Sequence, residues 1–365
     1  MRSVIGFLTL LLVLGSPAYG AESRILMLVS SHGSADQPDL SYDLEELAQA
    51  YLVLHDNGVK VDIASPKGGE VLVKTNKDDL EYIQRFKSLA LAKLRNTKPA
   101  ASIQVADYDG VFVVGGGGAM MDLPFHAPTQ TLLGVFVEQE KLITAVCHGP
   151  AAIADIKNPD GSYFVANKAV NSFTNIEESA FSKENMPFFS FLTQDKLTEN
   201  GGRFVYNKPM LPFVAVDQNL ITAQNPSSVA MAAEATVLKL GLSIKPRALF
   251  KDEATMRLIS QARAGGSALI DIALAQTPEQ YDMNYLALYG FYAYSLAAEE
   301  DKQVELDLMT IIGNHFQHAK YDAALIERMV EQRRMGEAAR QLALFKQRYP
   351  DDEQTEALSN MVSGA

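Results

Sequence analysis

Short apolar runs with few polar breaks most constrain what this chain can fold into. Arg24-Ile-Leu-Met-Leu-Val-Ser30, Val111 to Val114 and Leu142 to Val146 read as buried strands. A strand that is apolar on both faces must be covered on both. Val59 to Ala64 reads as a further strand, followed by a turn at Ser65-Pro-Lys-Gly-Gly69. Leu44 to Asp56 and Leu132 to Glu140 carry apolar residues at helical spacing, and Lys77 to Arg95 fits a helix. Phe213 to Val216 and Leu220 to Thr222 read as a late hairpin, followed by an Ala-rich helix over Ser227 to Leu240. Strands separated by helices predict a mostly parallel sheet between two helical layers.

The pattern changes near Ser243-Ile-Lys-Pro246, beyond which no strand is expected. Helices are predicted near 252–263, 267–276, 278–298, 302–316, 319–333 and 336–348. The last pair, with Ala338, Leu342, Phe345 and Pro350, weakly resembles half of a tetratricopeptide unit, and a plain bundle is the alternative. Tyr281, Tyr285, Tyr289, Tyr292 and Tyr294 fall at roughly helical spacing and read as packing. The expected organisation is a signal peptide over 1–20, an α/β domain over 21–242 shaped as a flavodoxin-like three-layer sandwich, and an all-α domain over 243–365. The signal reading rests on Arg2, the apolar run Val4 to Leu14 and the small residues flanking Tyr19. It implies export to a periplasm or the exterior, with an uncleaved anchor as the alternative.

Acidic residues outnumber basic ones 44 to 32, for a net charge of −12, which argues against nucleic acid as a partner. A single cysteine excludes an internal disulfide and a Cys-rich zinc site. The glycines at 115–118 lack the Lys-Ser/Thr of a phosphate loop. His32 is a candidate for lining a pocket. His315 and His318 have helical spacing but no obvious carboxylate partner, so neither a metal nor a cofactor is expected.

That one cysteine stands in Thr144-Ala-Val-Cys147-His148-Gly149-Pro150. A buried strand runs into a thiol, and Gly-Pro then opens a helix expected over Gly149 to Ile156. This is the layout of a nucleophile elbow, which exposes its side chain above the carboxyl edge of a sheet. A helix N-terminus aimed at the sulfur would depress the thiol pKa. The alternative is a buried structural cysteine.

Motifs around the elbow extend this reading. They are Glu45-Glu46-Leu47, Val61 to Gly69, Asp107-Tyr-Asp-Gly110, Gly115 to Leu123, Ala145 to Pro150, Phe173 to Glu178 and Gln224 to Ser228. In this order the chain resembles the ThiJ/PfpI superfamily, related to the class I glutamine amidotransferase fold, and within it the chaperone/glyoxalase III branch. The resemblance implies Cys147 as nucleophile, His148 as its acid/base partner and Glu178 as the acidic third member, with Glu177 as a possible substitute. It implies Glu46 beside the sulfur as a proton shuttle. Gly116, Gly117 and the His148 N–H would form an oxyanion pocket, with Asn225 in support. Three departures stand out: Gly117 replaces a frequent His, Met121 a frequent Trp, and Leu40-Ser-Tyr-Asp43 a stretch that usually holds a Gly.

The implied function is a cysteine-dependent enzyme acting on small reactive carbonyls, converting methylglyoxal to lactate without glutathione. Amide or peptide hydrolysis would use the same nucleophile. A different class of function is an exported holding chaperone or redox sensor, whose helical domain binds unfolded proteins or a protein partner. The resemblance also implies a homodimer.

Overall fold

The structure, a computed structural model, describes residues 22–33, 37–71 and 77–364. The segment expected to be a signal peptide lies outside them. The α/β part runs β1 (Arg24–Leu28), α1 (Leu44–Asp56), β2 (Lys60–Ser65), α2 (Glu81–Arg95), β3 (Lys98–Pro99), β4 (Gly110–Val113), α3 (Gly118–Met121), α4 (Ala127–Glu138) and β5 (Leu142–Val146). It continues with β6 (Ala169–Val170), α5 (Asn175–Phe181), α6 (Thr193–Glu199), β7 (Arg203–Phe204), β8 (Val214–Asp217), β9 (Leu220–Ala223) and α7 (Val229–Lys239). Seven strands form one sheet in the order β3-β2-β1-β4-β5-β9-β8, parallel except for the β8–β9 hairpin.

Side-chain alternation along each strand sends neighbours to opposite faces. Ile25, Met27 and Val29 join Phe112, Val114 and Ile221 under α1 and α7. Leu26 and Leu28 join Val111, Val113, Ile143 and Ala145 under α4. The unbroken apolar runs therefore supply two cores, as a sheet covered on both sides requires.

Beyond residue 250 every regular element is helical: α8 (Lys251–Gly265), α9 (Ala268–Gln276), α10 (Met283–Leu296), α11 (Lys302–Ile312), α12 (Ala319–Glu331), α13 (Met335–Arg348) and α14 (Thr355–Gly364). Their main core holds Met256, Ile259, Leu286, Tyr289, Leu306, Ile312 and Leu325. A smaller one, with Ile326, Leu342, Phe345 and Leu358, joins α12, α13 and α14. Tyr289 and Tyr294 are buried, as packing residues should be.

Two expectations need correction. The helix expected over 149–156 is only a five-residue 3-10 turn, Gly149–Ile153. Residues 278–298 split into a 3-10 turn at Pro278–Gln280 and α10, because Asp282 caps α10 by accepting from the backbone of Asn284 and Tyr285.

Candidate active site

β1, β2, β4, β5 and β9 all point their carboxyl ends the same way, and the chain crosses between β1 and β4. Ligands of open α/β sheets bind at such a crossing, outside the carboxyl edge. β4 ends in the glycine loop there, and the neighbouring β5 ends in Cys147.

Cys147 adopts φ +55, in the left-handed region. For a residue with a Cβ this conformation costs roughly 1–2 kcal/mol. It is held by bonds on both sides: Cys147 N donates to Ala223 O at 2.8 Å, and Phe173 N donates to Cys147 O at 3.0 Å. The sulfur lies 3.4 Å from His148 Nδ1. On the other side of the ring, His148 Nε2 lies 2.8 Å from Glu178 Oε1. That distance suits an ion pair, but the approach is off the N–H axis, so Nε2 and both Glu178 oxygens lack a well-aligned hydrogen bond. Phe173 and Phe189 flank the imidazole, with ring centroids 5.0 and 6.0 Å away.

Glu46 approaches the sulfur from α1. Asp43 caps that helix by accepting from Glu46 N at 3.0 Å, which places Glu46 in the first turn. Glu46 Oε2 accepts from Gly115 N at 2.9 Å, and the carboxyl faces the Cys147 thiol. Glu46 is 1% exposed and Cys147 4%. Burial, followed by the charge of Asp43, pushes the Glu46 carboxyl well above its usual range. Burial, followed by the Glu46 carboxylate, also pushes the Cys147 thiol well up. The expected depression of the thiol pKa is therefore not met. A single 3-10 turn brings too small a dipole to offset burial beside a carboxyl. The two groups hold protons tightly as a pair, and whichever ionises first hinders the other.

Gly116 has φ +87, and a Cβ there would lie 2.5 Å from Asp43 N and 2.6 Å from Ser41 O. At Gly117 a Cβ would lie 2.6 Å from Asp39 O. The segment 39–43 thus lies directly on the loop, joined to it by Gly118 N to Ser41 O and by Asp43 N to Gly115 O. This ties two of the departures together, since a His at 117 would require the Leu40-Ser-Tyr-Asp43 segment to move. Among the described residues the Gly116, Gly117 and His148 N–H groups donate to no backbone carbonyl.

Glu177 and Glu178 are both fully buried but differ in their partners. Glu177 accepts from Thr174 N and Oγ1, Met210 N, Gln224 Nε2 and Asn225 Nδ2. It is a structural node, and the nearby imidazole pairs with Glu178 instead. Asn225 bonds Glu177 and Leu211 O, so it braces the wall rather than reaching the sulfur. His32 lies on the loop after β1, where its backbone N–H donates to Ser30 Oγ. His315 does have a carboxylate partner, Asp271 Oδ1 at 2.7 Å. It and His318 lie between α11 and α12 rather than on one helix face. No cluster of His, Cys, Asp and Glu among the described residues could hold a metal ion.

Sequence reasoning missed Asp43, Phe189 and the Gly115 donor. The Asp43-x-x-Glu46 spacing was a readable signal, because it is a helix-capping pattern.

A profile described as the DJ-1/PfpI family matches residues 34–238. The glutathione-independent glyoxalase hsp3101 of Schizosaccharomyces pombe is 29% identical over 246 residues, covering 60% of this chain and 96% of that protein. Glyoxalase 3 of Candida albicans is 25% identical over 226 residues, covering 58% of this chain and 95% of that protein. The X-ray structure of Rapid Encystment Protein 24 KDa from Francisella tularensis matches with a TM-score of 0.55 at 28% identity, covering 60% of this chain and 99% of that one. The profile match ends before the helical region begins.

Proposed function

Because this chain belongs to the DJ-1/PfpI family, we propose that it is a glutathione-independent glyoxalase that converts methylglyoxal and related 2-oxoaldehydes to 2-hydroxy acids. One observation carries the reading: Cys147 Sγ stands between a His148–Glu178 pair and a buried Glu46 carboxyl.

The Cys147 thiol passes its proton to His148 Nδ1, and Glu178 stabilises the imidazolium. The sulfur adds to the aldehyde carbon, and the oxygen that gains charge is held by the Gly116, Gly117 and His148 N–H groups. Protonated by His148, this oxygen becomes the hydroxyl of a hemithioacetal. The Glu46 carboxylate removes the proton from that carbon, giving an enediolate with its charge on the former ketone oxygen; that oxygen takes up the hydroxyl proton of the hemithioacetal, and Glu46 returns its own proton to the carbon that bears it. The former aldehyde carbon is now a thioester, and water hydrolyses it to the hydroxy acid and regenerates the thiol. The sum is methylglyoxal plus water to lactate, with no external oxidant or reductant. A buried Glu46 suits the task, because a carboxylate whose hold on a proton is raised by burial is a stronger base than an exposed one.

The test is lactate formation from methylglyoxal without glutathione, beside Cys147→Ala and Glu46→Gln. Turnover that depends on both residues is expected, and full turnover in folded Cys147→Ala would refute the mechanism. Export by residues 1–20 belongs to the same proposal. A periplasmic or secreted mature chain beginning at Ala21 supports it, and an intact N-terminus on cytoplasmic protein would overturn it.

A further inference from the structure

The helical domain packs against both walls of the catalytic group. On one side, Met210 and Leu211 join its core, and Lys208 pairs with Asp301. On the other, it meets α1. Glu45 and Glu46 are adjacent in the first turn, so their side chains leave the helix about 100° apart. Glu46 enters the site, whereas Glu45 faces the seam. There Glu45 takes Lys77 Nζ at 2.6 Å, Tyr82 OH at 3.0 Å and, from α10 of the helical domain, Tyr285 OH at 3.3 Å. One turn on, Gln49 Nε2 donates to Asp252 Oδ2 of α8 at 2.7 Å.

We propose that Tyr285 is a positioning residue through which the helical domain acts on the chemistry: its hydroxyl donates to Glu45 and offsets the charge that Glu45 sets beside Glu46, the carboxyl that faces Cys147. This rests on the Glu46–Cys147 pair of the proposed reaction, not on its substrate. The charges involved come from several elements. Asp43 and Glu45 act on Glu46 from its own helix, and Cys147 faces it from the elbow. Lys77 opposes them, while Asp252 and Asp282 face Tyr285 from α8 and the start of α10. Glu46, Asp43 and Glu178 are the charges that bear most on the sulfur, whereas Glu45 bears on Glu46. Glu45 then acts on Cys147 through Glu46. Removing the Tyr285 hydroxyl leaves the Glu45 carboxylate less neutralised, which holds the proton on Glu46 and Cys147 more firmly. Removing the Glu45 charge does the reverse.

The chain has one cysteine, so alkylation by iodoacetamide reports on Cys147 alone. Rates across pH on the full-length protein, normalised to its folded fraction, should show Tyr285→Phe slower by about threefold near neutral pH and Glu45→Gln faster by a similar factor. In a Glu46→Gln background Tyr285→Phe should have no effect. A merely structural role would move Tyr285→Phe and Glu45→Gln the same way. Shifts of the same sign, no shift in Tyr285→Phe, or a shift that persists without Glu46 would each overturn the proposal. If Tyr285→Phe fails to fold, Glu45→Gln decides alone: faster alkylation supports the proposal, and unchanged or slower alkylation overturns it. Alkylation needs no turnover, so opposite shifts without lactate formation would retain this coupling and refute only the glyoxalase reading.

Discussion

Replacing Glu177 by Gln should cost the fold far more than replacing its neighbour Glu178. Glu177 Oε1 accepts from Met210 N at 2.8 Å and Asn225 Nδ2 at 2.9 Å. Its Oε2 accepts from Thr174 Oγ1 at 2.8 Å and Thr174 N at 3.0 Å, and Gln224 Nε2 lies 3.2 Å from both oxygens. A glutamine must place its amide NH2 at one of these positions, facing at least two donors with no water to intervene. Hydrogen bonds to a charged group contribute roughly 1.5–3 kcal/mol each. Losing two costs about 3–6 kcal/mol, or about 6–24 °C in the melting temperature of a domain of this size. Glu178 has no aligned hydrogen bond to lose, so Glu178→Gln should alter stability by less than ~1 kcal/mol. It removes the charge opposite His148, however, and turnover should fall about 10²- to 10⁴-fold. Circular dichroism melts at one scan rate, alongside the lactate assay, measure both effects. Equal melting losses in the two variants, or a Glu178→Gln enzyme with wild-type turnover, would refute the division of roles.

Two further predictions concern the site and the seam. A Cβ at Gly115 would lie 2.7 Å from Glu46 Oε2 and 2.8 Å from Cys147 Cβ, so Gly115→Ala should fold but lose at least about tenfold in kcat, read in the same assay. Burial pushes Asp252 up to about 6, above its unfolded value near 3.9. Its protonated form is favoured by the folded state, so the stability it contributes is present in acid and lost as pH rises through about 6, by about 2–3 kcal/mol. Melts between pH 4 and 7 should therefore fall more steeply for the wild type than for Asp252→Asn.

Several features of this protein were legible in the sequence. Apolar runs without alternation require burial on both faces, and this requirement alone predicts a parallel sheet between helices. The strand leading into Cys147-His148-Gly149-Pro150 singles out the candidate nucleophile, because strand, sharp turn and thiol are contiguous. Even the ambiguity between Glu177 and Glu178 was resolvable in principle. Thr174-x-x-Glu177 is a capping box, which commits Glu177 to the helix start and leaves Glu178 free.

Other features depend on groups far apart in the chain. The thiol pKa could not be read locally, because it is set by burial and by a carboxyl that arrives from α1, about a hundred residues upstream. The absence of a His at 117 follows from a strand–helix connection that folds back onto the glycine loop. The contact of Tyr285 with Glu45 spans 240 residues and leaves no periodic trace in either helix. Sequence patterns record what each segment must bury against its surroundings. Which segment meets which is decided only when the two domains pack together, and here that packing joins a helical domain to the first turn of the helix that carries Glu46.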